Sequence, residues 1–170
     1  MSAVKTKNLL EQIAIVEMHA ADLDEVVAIE RESNLSPWGR AGYLEELWNQ
    51  EAILLIARQS RTRIAPENRS TIGFATARLV TSAAELHINN IAVSGAFRQV
   101  GLGTQLLRAL LARGRAAGAT TALLEVRASN IAAQALYGRF GFSVIGERKA
   151  YYSDPVETAL VMQGIIPARA

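Results

Sequence analysis

The chain contains no cysteine. That excludes a disulfide framework, a thiolate metal site and a cysteine nucleophile together. Histidine is nearly absent as well. His19 and His87 are the only two and lie far apart, which argues against a histidine-based zinc site, and no metal is expected. Charge is sparse at 20% of residues, and the formal net charge is only +2. Three lysines (Lys5, Lys7, Lys149) leave fifteen arginines among the 18 basic residues, and the pI is about 9.2. A positive field of this kind suits a polyanionic ligand or a ribonucleoprotein partner. Without a basic run or interleaved aromatics, direct nucleic-acid binding is not expected. No stretch approaches ~18 continuous apolar residues, so no membrane span is expected. The N-terminal MSAVKTKNLL lacks the apolar core of a signal peptide, which points to the cytoplasm.

What is present fits one ordinary globular domain, because 170 residues with 50% hydrophobic content suffice to bury about 70% of the unfolded surface. No composition shift or repeat marks a boundary, so a single domain over 1–170 is expected. Residues 1–12 read as a lead-in, 59–70 as a long hairpin loop and 164–170 as a tail. The apolar patterning predicts strands over 13–18, 52–58 and 71–80, a further strand ending at Val93, and strands over 120–127, 142–148 and 158–162. The last two form an antiparallel pair around Tyr151-Tyr152-Ser153-Asp154-Pro155.

Asp22 with Glu25 reads as a capping box that opens a helix carrying Leu23, Val26 and Val27 on one face. Ser36-Pro37-Trp38-Gly39 breaks it, and a second helix follows with Tyr43, Leu44, Leu47 and Trp48. Trp38 and Trp48 read as core anchors. A third helix, after Gly103, places Leu106, Leu107, Leu110 and Leu111 on a stripe and ends at Gly118; a fourth covers 130–139 and ends at Gly141. The 59–70 loop reads as a surface excursion or as a contact with a macromolecular substrate through Arg58, Arg61, Arg63 and Arg69. The element order predicts a mixed α/β (α+β) fold, a mostly antiparallel six- to seven-stranded sheet with helices on both faces.

The segment from Leu86 to Leu111 combines a strand, a turn at Ser94-Gly95, the run Arg98-Gln99-Val100-Gly101-Leu102-Gly103 and a helix start. Unpaired N–H groups and the dipole at a helix N-terminus stabilise an anion there. A P-loop is excluded because no Gly-Lys pair occurs, and a dinucleotide fingerprint because Leu106 stands where the third glycine belongs.

Three further residues carry candidate chemistry. Glu125 lies among Leu123, Leu124 and Val126, so its carboxylate is either paired, with Arg127 two residues along, or functional as a general base. Tyr137 shares a helix face with Asn130; it either packs against the sheet or donates a proton to a leaving thiolate. Asn130 is also a favoured helix N-cap. Glu85 and His87, two apart on one strand, form a rival base.

The pattern Arg-x-x-Gly-x-Gly at 98–103 resembles motif A of the GCN5-related N-acetyltransferase (GNAT) superfamily. The run Leu124-Glu125-Val126-Arg127-Ala128-Ser129-Asn130, then Ala135-Leu136-Tyr137, Gly141-Phe142 and Tyr151-Tyr152, is similar to its RimI-type branch, which acetylates the N-terminal alanine of a small-subunit ribosomal protein. The resemblance implies a GNAT fold and acetyl-CoA as donor. In it, Ile91, Ala92 and Val93 pair with the pantetheine arm, and Arg98, Gln99, Val100, Gly101, Leu102, Gly103 and Thr104 cradle the pyrophosphate. By the same resemblance Asn130 would also touch the cofactor, Glu125 would be the general base and Tyr137 the general acid. The resemblance implies a protein N-terminus as partner, that of a ribosomal protein, and a monomer is the default expectation. The alternatives left open are a GNAT acting on lysine or a small amine, and a non-catalytic acyl-CoA-binding module.

Overall fold

In the computed structural model the described residues are 12–33, 35–60 and 69–168. Arg61, Arg63 and most of the expected lead-in lie outside them. The elements follow the expected order: β1 (Ile13–Glu17), α1 (Leu23–Glu32), α2 (Gly39–Glu46), β2 (Ala52–Ser60), β3 (Arg69–Val80), β4 (Glu85–Val93), α3 (Leu102–Ala116), β5 (Thr121–Arg127), α4 (Ile131–Gly138), β6 (Ser143–Ser153) and β7 (Val156–Ile165). Seven strands form one mostly antiparallel sheet ordered β1-β2-β3-β4-β5-β7-β6. β4 and β5 run parallel, whereas β7 pairs antiparallel with both β5 and β6. The residues cluster into two compact units, Met1–Thr76 with Asn90–Leu110, and Ala77–Asn89 with Leu111–Ala170.

In the first unit, the apolar stripe of α1 (Leu23, Val26, Val27, Ile29) is buried with Ile56, Phe74, Tyr43 and Ala92. Glu30 continues that stripe at seven residues from Leu23 and is itself buried. Its carboxylate accepts the N–H groups of Trp38 (2.8 Å) and Gly39 (3.1 Å) and the Tyr43 hydroxyl (2.7 Å). Two N–H groups at the start of α2, which the helix itself cannot satisfy, thus find their acceptor inside the core. Asn90 Nδ2 donates to Tyr43 Oη at 3.4 Å, extending the network to β4. Burial, and then Glu30, push the Tyr43 phenol far above its ordinary value.

Several expectations are revised here. Asp22 does not cap α1 with its side chain; its carboxylate accepts the His19 N–H at 2.8 Å and pairs with Arg58. Glu25 accepts the Thr71 N–H at 2.8 Å, tying α1 to β3. Arg58 is therefore committed to a structural pair. Trp38 packs at 5.3 Å from Tyr43 beside the core, but Trp48 is 84% exposed and no anchor. α2 ends at Glu46, so Trp48 lies beyond the turn that faces the core.

In the second unit, α3 ends as expected. Gly118 sits at φ +97°, a left-handed conformation that disfavours a side chain, and Ala119 N–H reaches back to Gly114 O at 2.9 Å. Ala122, Leu124 and Val126 of β5 are buried. β6 and β7 are longer than expected, so Tyr151 and Tyr152 lie within β6 rather than in a connecting loop. The β6–β7 register is interrupted between Arg148 and Tyr152, where Ala150 adopts φ +52°. The first residues of the expected tail belong to β7.

Candidate active site

Along β4 the side chains alternate, with Leu86, Ile88, Asn90 and Ala92 buried and Ile91 and Val93 half-buried. The β4–β5 ladder runs from Glu85↔Thr121 to Ile88↔Leu124, and β4 continues beyond it to Val93. Ser94 N–H donates to Ile72 O at 3.0 Å, which fixes the strand end. After a 3-10 turn at Gly95–Phe97, Gln99 (φ +62°) and Gly101 (φ +90°) bracket Val100 in left-handed conformations. A non-glycine residue at positive φ is strained, and such strain persists where the surroundings over-determine it. Gln105 N–H closes the first helical bond to Gly101 O at 3.2 Å, so the N–H groups of Leu102, Gly103 and Thr104 precede it at the helix start. This is an anion-competent turn. The Arg98 guanidinium is turned back, donating to Val93 O (3.0 Å), Glu32 O (3.0 Å) and Ser33 Oγ (3.4 Å).

In the second unit, Glu125 is opposite Val161 on β7, which in turn is opposite Gly146 on β6. Arg148, two residues from Gly146 and on its face, reaches back across β7 and contacts Glu125 Oε1 through Nη1 at 2.6 Å. Both side chains are partly exposed, 34% for Glu125 and 54% for Arg148. Arg127 is not the partner of Glu125. It is buried, pairs with Glu157 at 3.2 Å and donates to the carbonyls of Asp154 (3.0 Å) and Pro155 (3.3 Å). Its guanidinium lies 4.1 Å from the centre of the Tyr152 ring. Glu157 also accepts the Ser129 N–H at 2.7 Å, and these Ser129 bonds, then Arg127, hold its carboxyl below the ordinary range.

Tyr137 is buried on α4 and packs against Phe142 with ring centres 5.9 Å apart. Burial, reinforced by Tyr152, pushes its phenol up to about 12. Tyr152 is also pushed up to about 12, chiefly by burial, with Arg127 acting in the opposite direction. Tyr152 interacts electrostatically with both Tyr137 and Glu125, so the carboxylate and the protonated phenol share one neighbour. Asn130 caps α4, its Oδ1 accepting the Ala133 N–H at 3.1 Å. Glu85 and His87 bond to each other at 3.0 Å. Among the described residues no group of three or more potential ligands could hold a metal ion, and no helix is long and apolar enough to cross a membrane.

Sequence reading missed Arg148, Glu30 and the Arg127–Glu157 pair. Only Glu30 left a signal, a carboxylate at the seventh position of an apolar stripe. The other pairings depend on strand order.

A profile of the acetyltransferase (GNAT) family matches residues 23–142. The chain is 35% identical over 144 residues to the [ribosomal protein bS18]-alanine N-acetyltransferase of Haemophilus ducreyi, covering 83% of this chain and 92% of that one. It is 33% identical over 150 residues to the Escherichia coli protein of the same name, covering 87% and 94%. The crystal structure of the ribosomal-protein-S18-alanine N-acetyltransferase from Escherichia coli matches with a TM-score of 0.78 at 29% identity, covering 93% of this chain and 96% of that one. A profile match over most of the chain, with relatives of this identity over nearly their whole length, establishes that the chain belongs to the GNAT acetyltransferase family and is an acetyl-CoA-dependent N-acetyltransferase.

Proposed function

We propose that the protein transfers the acetyl group of acetyl-CoA to the N-terminal α-amine of a protein, with the N-terminal alanine of ribosomal protein bS18 as acceptor. The near full-length similarity to bS18-alanine N-acetyltransferases carries this reading. Retention of both Glu125 and Tyr137 supports it over a non-catalytic acyl-CoA-binding module. The protein acts as a monomer in the cytoplasm, where its acceptor is made.

On the donor side, the N–H groups of the Gln99–Thr104 turn meet the pyrophosphate, and the backbone of Ile91–Val93 pairs with pantetheine. Asn130, already a cap, adds a contact to coenzyme A. The unprotonated α-amine attacks the thioester carbonyl, forming the C–N bond, while a backbone N–H near Val93 stabilises the developing oxyanion. Glu125 takes the proton that the amine loses. The C–S bond breaks, and Tyr137 gives its proton to the thiolate sulfur. Solvent then returns a proton to Tyr137 and removes one from Glu125. An α-amine with a pKa near ~8 is easier to deprotonate than a lysine near ~10.4, which suits a carboxylate base.

A phenol held at about 12 keeps its proton throughout the working range, so it contributes no falling limb to kcat below about pH 10. Replacing Tyr137 by Phe should lower kcat about 100-fold with little change in the KM for acetyl-CoA; steady-state kinetics across pH 6–10 check both statements.

The reading is tested with an alanine-first peptide that also contains an internal lysine, assayed beside its N-formylated twin. Turnover should vanish on formylation. Equal turnover of the two peptides would favour the lysine-directed alternative.

A further inference from the structure

We propose that Arg98 is a positioning residue of the donor loop, whose side chain straps the end of β4 to the last turn of α1 rather than gripping phosphate. The proposal rests on reading the Gln99–Thr104 turn as the acetyl-CoA pyrophosphate site. Nε and Nη2 form one face of the guanidinium fork, the face that would otherwise meet two phosphate oxygens. Here Nε holds Val93 O and Nη2 holds Glu32 O, each at 3.0 Å. Ser33 Oγ lies 3.4 Å from Nη2.

Both carbonyls are ends that regular structure leaves open. Glu32 is the final residue of α1, where a helix carries unpaired carbonyls and partial negative charge that a cation offsets. Val93 is the final residue of β4. Because Arg98 follows Val93 by five residues, its side chain closes the 3-10 turn at Gly95–Phe97 into a ring. The direction in which Gln99 leaves that ring sets the left-handed bracket over Gln99 and Gly101. The post to which the strap is tied is firm, since Glu30, two residues before Glu32, is fixed in the core by three hydrogen bonds. Arg98 thus aligns the strand that carries the thioester with the turn that carries the phosphates.

Charge and geometry are separated by comparing R98K, which keeps the cation but cannot bridge two carbonyls with a planar fork, with R98M. The strap predicts that both variants behave alike. The ligand-free melting temperature drops by about 3 °C in each, kcat falls about fivefold or more, and CoA affinity by titration calorimetry shifts by less than about threefold. Wild-type CoA affinity in R98K beside a tenfold or greater loss in R98M, with ligand-free melting unchanged in both, would overturn the strap and make Arg98 a phosphate ligand. If the wild-type protein bound no CoA, the donor-site reading itself would fall, whereas the ligand-free melting temperatures would still report on the strap.

Discussion

Replacing Glu125 by Gln is expected to lower kcat about 10²- to 10³-fold while the affinity for CoA stays within about threefold. General-base catalysis by a positioned side chain contributes on this scale, and the amide keeps the shape of the carboxylate while losing its basicity. The substitution also removes the ion pair with Arg148. That pair joins two partly exposed groups, and exposed pairs contribute only ~0–1 kcal/mol. The variant should therefore fold and melt nearly as the wild type does, so that lost turnover reports on chemistry. Steady-state kinetics with an alanine-first peptide, beside a CoA titration, make the measurement. Undiminished turnover would move the base to Glu85 or His87, which hold each other on β4.

The largest effect on stability is expected from Glu30→Ala. Truncation strands the buried Tyr43 hydroxyl and the half-buried Trp38 and Gly39 N–H groups that shared this acceptor. Each buried polar group left unpaired costs ~1–3 kcal/mol, so a loss of at least ~3 kcal/mol is expected. For a chain of this size that corresponds to a fall in Tm of roughly 6–12 °C, read by calorimetry. Glu30→Gln keeps an acceptor oxygen for the Trp38 N–H and Tyr43 hydroxyl but turns its amide toward the Gly39 N–H. It should lose about half as much. Equal losses in the two variants would mean that charge, not hydrogen-bond acceptance, is what the core requires.

The elements that read clearly in sequence are those whose signals are local. Gly118 needs only its own left-handed φ to end α3, and Asn130 needs only Ala133 three residues on to cap α4. The turn at Gly101 and the start of α3 are legible for the same reason, since they are adjacent in the chain. Asp22 misled because its local spacing to Glu25 fits a capping box, yet His19 and Arg58 offered its carboxylate better partners. Trp48 misled because helical periodicity was extended past the end of α2. Arg148 had no readable signal. It meets Glu125 only because β7 is inserted between β5 and β6, and strand order is a property of the whole sheet. Arg127 finds Glu157 for the same reason.

Family membership makes acetyl-CoA the donor, and the acceptor is identified by measurement. Ribosomal protein bS18 with a free N-terminal alanine, incubated with this protein and deuterated acetyl-CoA, can be read by tandem mass spectrometry. The account predicts one label per chain, on the α-nitrogen of that alanine; label confined to lysine side chains would contradict it.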